Sequence, residues 1–125
     1  MAPDTAQNLL VMAKLMIEHN FLAMVFLGGL MASAGYALWK PSRGIILIMI
    51  GFGLLLFAFQ YEKHIADALI EQTTGSLVTA RQSGRIEWVV QKILGKAATP
   101  LLYLTGFTSL CMGTFLLYKQ HQQAK

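Results

Sequence analysis

Two histidines are the residues of this chain best placed by type and spacing to do chemistry. His19 stands just before the first long apolar block and His64 just after the second. An antiparallel hairpin of those blocks brings both imidazoles to one membrane face, where a histidine pair can ligate a haem iron or another metal ion. Against this, both lie among polar residues at helix ends, where histidines commonly act as solvated or capping groups. Cofactor binding by His19 and His64 is therefore a subsidiary expectation; the main one is that the chain carries no resident cofactor and no metal.

The remaining chemistry-bearing residues are sparse. Glu18, Asp67 and Glu71 could suggest a proton or ion relay, but a relay across a membrane needs ionisable groups within the spans, and the apolar blocks contain none. The single cysteine, Cys111, lies inside the last apolar block and is expected to be a small packing residue, because one thiol allows neither an internal disulfide nor a cysteine cluster. There is no phosphate-binding glycine loop, no dinucleotide fingerprint, no HExxH and no serine elbow. These absences point away from an enzyme.

The elements that carry these residues are written in the hydropathy. Of 125 residues, 55% are hydrophobic and only 13% charged, far from the balance of a water-soluble domain. The net charge of +4 comes from scattered Lys and Arg without a long basic run, so nucleic acid is not an expected partner. Residues 21–39 are uncharged, and 19 residues of helix give about 28 Å, close to the hydrocarbon thickness of a bilayer. A second block covers 44–60 and a third 100–118, with Tyr36, Trp39, Tyr103 and Tyr118 near block ends, as interfacial aromatics are. Ala32-Ser33-Ala34 resembles a signal-peptidase site, but the long acidic and basic lead-in and the apolar run through Trp39 favour a retained span.

Around the blocks, local signals set the boundaries. Residues 1–20 read as an amphipathic N-terminal helix, with Asp4 as N-cap, Gln7 three positions on, and a Lys14/Glu18 pair at i,i+4. Lys40-Pro41-Ser42-Arg43 reads as a tight turn. The segment 61–98 is extramembrane: helix persists to about residue 72, and Thr73-Thr74-Gly75-Ser76 and Gln82-Ser83-Gly84 act as breakers around a loop or short helical turn over 77–81. Residues 85–96 then place Ile86, Val89, Val90, Ile93 and Leu94 on one face beside Trp88, the pattern of an amphipathic helix at a membrane surface or on another protein helix. Thr99-Pro100 reads as the N-cap and first residue of the third span, and 119–125 form a polar tail.

The fold expected is an all-α membrane protein of three transmembrane helices, with an interfacial amphipathic helix before the third. Its clearest positive signal is for helix packing. Gly29, Ser33 and Ala37 recur every four residues beside Gly28 and Ala32, and Thr105, Ser109 and Gly113 recur likewise in the third block. Such stripes let backbones approach closely, within the chain or toward other subunits, and the balance leans toward partners because bulky residues surround them. The topology signals conflict: Lys40 and Arg43 place the short turn and the Lys119/Lys125 tail inside, whereas the count over 62–99 favours that segment. The short turn is given precedence, which puts the N-terminus outside and the C-terminus inside a bacterial inner membrane or an organelle membrane.

The expected role is a non-catalytic accessory or assembly subunit of a larger multi-subunit membrane complex, with the lipid bilayer and other membrane subunits, or copies of itself, as partners. The alternatives are a self-assembling pore or filament subunit of holin or pilin type, and a haem- or metal-binding membrane anchor using His19 and His64.

Overall fold

The computed structural model describes residues 3–77 and 83–125, and apart from Lys40, Pro41, Ser42 and the last two residues all of these are helical. Helix α1 is Pro3–Trp39, α2 is Arg43–Gln60, α3 is Ala66–Leu77, α4 is Ser83–Val90 and α5 is Ala98–Gln123. Short wide-turn segments, Tyr61–Ile65 and Gln91–Ala97, join α2 to α3 and α4 to α5 without breaking the helical path. Among the described residues, three continuous helices are long and apolar enough to cross a membrane: Asp4–Trp39, Arg43–Gly75 and Gly84–Gln123. The chain is thus compatible with a multi-pass membrane protein.

Helix α1 is described from Pro3, and Asp4 lies inside its first turn. Its carboxylate there favours the positive end of the helix dipole, and the expected N-cap role shifts to a charge role. From there α1 runs unbroken to Trp39, because no glycine-proline signal interrupts it and Lys14 and Glu18 pair at 3.7 Å along its exposed side. From Pro3 onward the expected N-terminal helix and the first apolar block are one continuous helix. Pro41 then bars continuation, and the chain reverses within three residues. Ser42, in extended backbone geometry, accepts a 3.3 Å hydrogen bond from the Ile45 N–H and caps α2.

The sequence signals for breaks in the second half are overridden. Thr73 donates to the Leu69 carbonyl at 2.6 Å and Thr74 to that of Ile70, so both hydroxyls are absorbed by the preceding turn and α3 continues to Leu77. The expected loop over 77–81 falls, beyond Leu77, outside the described residues. Thr99-Pro100 does not start a helix. Proline at 100 has no N–H for the Lys96 carbonyl and its ring crowds that carbonyl, a conflict that a wide turn just upstream can take up. The Ala98 N–H accordingly bonds five residues back to the Ile93 carbonyl, and Thr99 Oγ1 turns back toward the Gly95 carbonyl at 3.5 Å. The 85–96 helix and the third span are therefore continuous, where separate elements were expected.

Helix α2 is the central element, flanked by α1 and antiparallel to both α1 and α5. Its core contacts are Leu55 and Phe59 against Ala23 and Phe26 of α1, with Phe52, Leu56, Tyr103 and Leu110 packed around them. Leu55 is 0% exposed, which marks the point where all three helices converge.

Candidate functional site

The tightest part of the molecule is the seam between α2 and α5, and glycines make it possible. A Cβ added to Gly113 would lie 2.7 Å from the Gly44 carbonyl oxygen, and one added to Gly51 would lie 3.0 Å from that of Gly106. Gly44 and Gly51 are seven residues apart, as are Gly106 and Gly113, so the pairs recur every two helical turns with opposite chain direction. That is the interval at which two helices crossing at a shallow angle return to the same face. Between the pairs, Ser109 donates to the Leu47 carbonyl at 2.8 Å. Glycine thus brings the backbones close, and serine adds a hydrogen bond that only close backbones allow.

The α1–α2 seam uses a different device. Gly29 receives the Phe52 ring, whose atoms would lie 2.4–2.6 Å from an added Cβ. Ser33, buried at 5% exposure, donates to its own Leu30 carbonyl at 2.9 Å and leaves no polar atom free.

Of the expected packing residues, the structure thus brings Gly29, Ser33, Ser109 and Gly113 into contacts within the chain, with Ala37 half-buried. The small faces of Gly29, Ser109 and Gly113 are filled by α2, and Ser33 is buried, so these four pack within the chain. Gly28 and Ala32 face outward, with nothing within 4 Å of a Cβ on Gly28. Thr105 is also exposed and bonds back to Leu101, because the α5 face against α2 runs through Gly106, Ser109, Leu110 and Gly113 instead. Cys111 is exposed on α5 and is not a packing residue of this chain. Gly44 and Gly106 were missed from sequence, although the two seven-residue glycine spacings were visible there.

At the end opposite the short turn, the two wide turns face each other. Tyr61, 6% exposed, donates to the Leu94 carbonyl at 2.7 Å, linking the Tyr61–Ile65 and Gln91–Ala97 segments. A wide turn displaces carbonyls from the regular ladder, and such segments often sit at functional positions. Beside this link lies a cleft between Glu62 and Asp67 on one side and Lys96, Thr99 and Pro100 on the other. Tyr103 of α5 donates its hydroxyl to Glu62 Oε2 at 3.4 Å.

The hairpin brings the backbone at His19 beside the residue preceding His64. Lys63 Nζ donates to the His19 carbonyl at 2.8 Å and lies 4.6 Å from the Phe59 ring centroid, so the hairpin does bring residue 19 to the level of residue 63. It is the His19 backbone that is engaged. His64 is exposed, and among the described residues no group of three His, Cys, Asp or Glu side chains could hold a metal ion.

The 85–96 segment is helical as expected. Ile86, Val90 and Leu94 are half-buried toward α3, where Ile70 reaches Gly95, while Val89, Ile93 and Trp88 remain exposed. Lys92 sits over the Trp88 ring at 4.3 Å. The apolar face is therefore split between a partner helix of the same chain and open surface.

A further exposed apolar surface lies on the first third of α1. Every side chain from Asp4 to His19 is exposed, and the stretch 9–17 contains Leu9, Leu10, Val11, Met12, Leu15, Met16 and Ile17. Consecutive positions 9 to 12 point to all sides of a helix, so no rotation of α1 could hide them. The chain matches no family model, no curated protein and no solved structure.

Proposed function

We propose that the chain is a non-catalytic subunit of a larger membrane complex, crossing the bilayer three times and docking through the first third of α1. The observation that carries this reading is the apolar surface of 9–17, which no helix among the described residues covers. At about 1.5 Å per residue, α1 is about 55 Å long, against about 30 Å of hydrocarbon. The tight turn fixes the excess of α1 on the N-terminal side of the spans, level with the polar helix α3. An apolar rod at that level gains by burial against another protein, and large exposed apolar patches mark such contacts. The exposed part of the 85–96 helix, Trp88, Val89 and Ile93, adds a second surface at the same end.

The distribution of charge supports an orientation. Lys40, Arg43, Lys119 and Lys125 are gathered at the short-turn end without an acidic side chain, and giving that compact basic turn precedence over the Lys and Arg of 62–99 favours that end as the inside one. The N-terminus then lies outside, in a bacterial inner membrane or an organelle membrane.

The test is a photocrosslinking amino acid placed at Leu10 or Met16 in native membranes, with Phe115 as control. The reading expects one discrete protein adduct from the first two positions, of a mass unlike the chain's own. An adduct of twice 13.8 kDa would instead favour self-assembly of holin or pilin type. Lipid adducts alone from all three positions would overturn the docking role.

A further inference from the structure

We infer that the short-turn end carries a binding cleft for the phosphate headgroup of an anionic phospholipid, a reading that rests on the membrane orientation proposed above. The charge of the whole chain is concentrated there. Ten Lys and Arg oppose six Asp and Glu, and all six acids, with six of the bases, belong to the segments 1–20 and 61–98. Those cancel. The net charge of +4 therefore resides in Lys40, Arg43, Lys119 and Lys125, and antiparallel packing brings both sequence regions to one end, where Leu117 abuts Gly44.

This end also has a shaped concavity. A cleft of about 240 Å³ opens between the turn and the end of α5, lined by Lys40, Ser42, Gln120 and His121 together with Tyr36 and Leu117. That is several times the ~30 Å³ share of one water, room for a phosphate and the glycerol it carries. Lys40 provides the positive charge; Gln120 and His121 provide donors of the kind a phosphate oxygen accepts. The Ser42 oxygen already accepts from Ile45, and its hydroxyl proton remains to donate. Leu117 and Tyr36 suit the glycerol and the first acyl carbons. Trp39, 84% exposed, and exposed Tyr118 flank the cleft in sequence, as residues at headgroup depth do. A carboxylate partner is disfavoured here only by position: the cleft faces the leaflet, where phosphates are the abundant anions.

The full chain carrying Trp88→Phe, which leaves Trp39 as its one tryptophan, is reconstituted in phosphatidylcholine vesicles. These contain an equal mole fraction of either brominated phosphatidylglycerol or brominated phosphatidylcholine. The expected result is stronger Trp39 quenching by the glycerol lipid, with the preference reduced about fivefold by Lys40→Gln. His121→Ala should reduce it further, and Lys125→Gln, which removes an equal charge outside the cleft, should leave it nearly intact. Equal quenching by both lipids would overturn the cleft and leave the membrane reading standing, whereas no quenching by either would overturn both. Equal losses from Lys40→Gln and Lys125→Gln would reduce the effect to diffuse surface charge and reject the site. Loss of the preference in inorganic phosphate, but not in chloride of matched ionic strength, would assign the cleft to free phosphate and overturn the lipid.

Discussion

Gly44 and Gly113 face each other so closely that a methyl group on Gly113 would sit 2.7 Å from the Gly44 carbonyl oxygen and 2.9 Å from the Ile48 backbone nitrogen. These two obstacles are backbone and cannot swing aside, and the Ile48 side chain crowds the same point at 2.7 Å. Gly113→Ala should therefore push α5 away from α2 and destabilise the bundle by about 1–3 kcal/mol. Gly28→Ala, with open space around it, should be neutral or stabilising by up to about 1 kcal/mol through helix propensity. Unfolding in mixed micelles, followed by circular dichroism, separates the two; equal effects would show that the α2–α5 seam is not the tight contact described.

The hydroxyl between the glycine pairs offers a finer probe. Ser109→Ala removes the bond to the Leu47 carbonyl and should cost about 0.6 kcal/mol, the average for interhelical bonds of this kind. Thr105→Ser, whose hydroxyl can keep the bond to its own helix, should change stability by no more than a few tenths of a kcal/mol. In a Gly113→Ala background the Ser109 effect should vanish, because separated backbones no longer reach each other. A double-mutant cycle reads that coupling directly.

Tyr61 ties the two wide turns together, and Tyr61→Phe leaves the Leu94 carbonyl without its donor. A loss of about 1 kcal/mol is expected, with amide exchange in the 91–97 segment accelerated about fivefold and that of residues 106–113 unchanged. Uniform acceleration along α5 would mean that the tyrosine supports the whole bundle and not this junction.

The proposed three spans, with a hairpin at one end, set which positions share a side. In a Cys111→Ser background, single cysteines at Pro41 and Gln122 should react with a membrane-impermeant maleimide from the same face, and one at Gln72 from the other. Reaction of Pro41 and Gln72 from one face would rule out this arrangement of spans.

His19→Ala and His64→Ala should leave both stability and partner crosslinking nearly unchanged, since the contact at residue 19 is made by its backbone carbonyl. An absorption band of haem in the purified protein, lost with either substitution, would instead restore the cofactor anchor.

The sequence by itself determined the three apolar spans, the tight turn and the absence of a recognised catalytic motif. These follow from hydropathy, length and the geometry of proline, which act locally and need no knowledge of neighbours. It also marked small residues as contact points, and Gly29, Ser33, Ser109 and Gly113 do make contacts. Only the tertiary structure decided which side of each helix was used: Gly106 packs against α2 while Thr105 beside it faces out, because the antiparallel register pairs glycine with glycine. It likewise decided that the helix continues through Pro100, where local signals favour a start, since a wide turn can absorb one missing donor when the rod is otherwise held by packing. The cleft at the short turn was beyond local reading for the same reason. Lys40 and His121 are eighty-one positions apart in the chain, and the packing of α2 on α5 brings these two regions together.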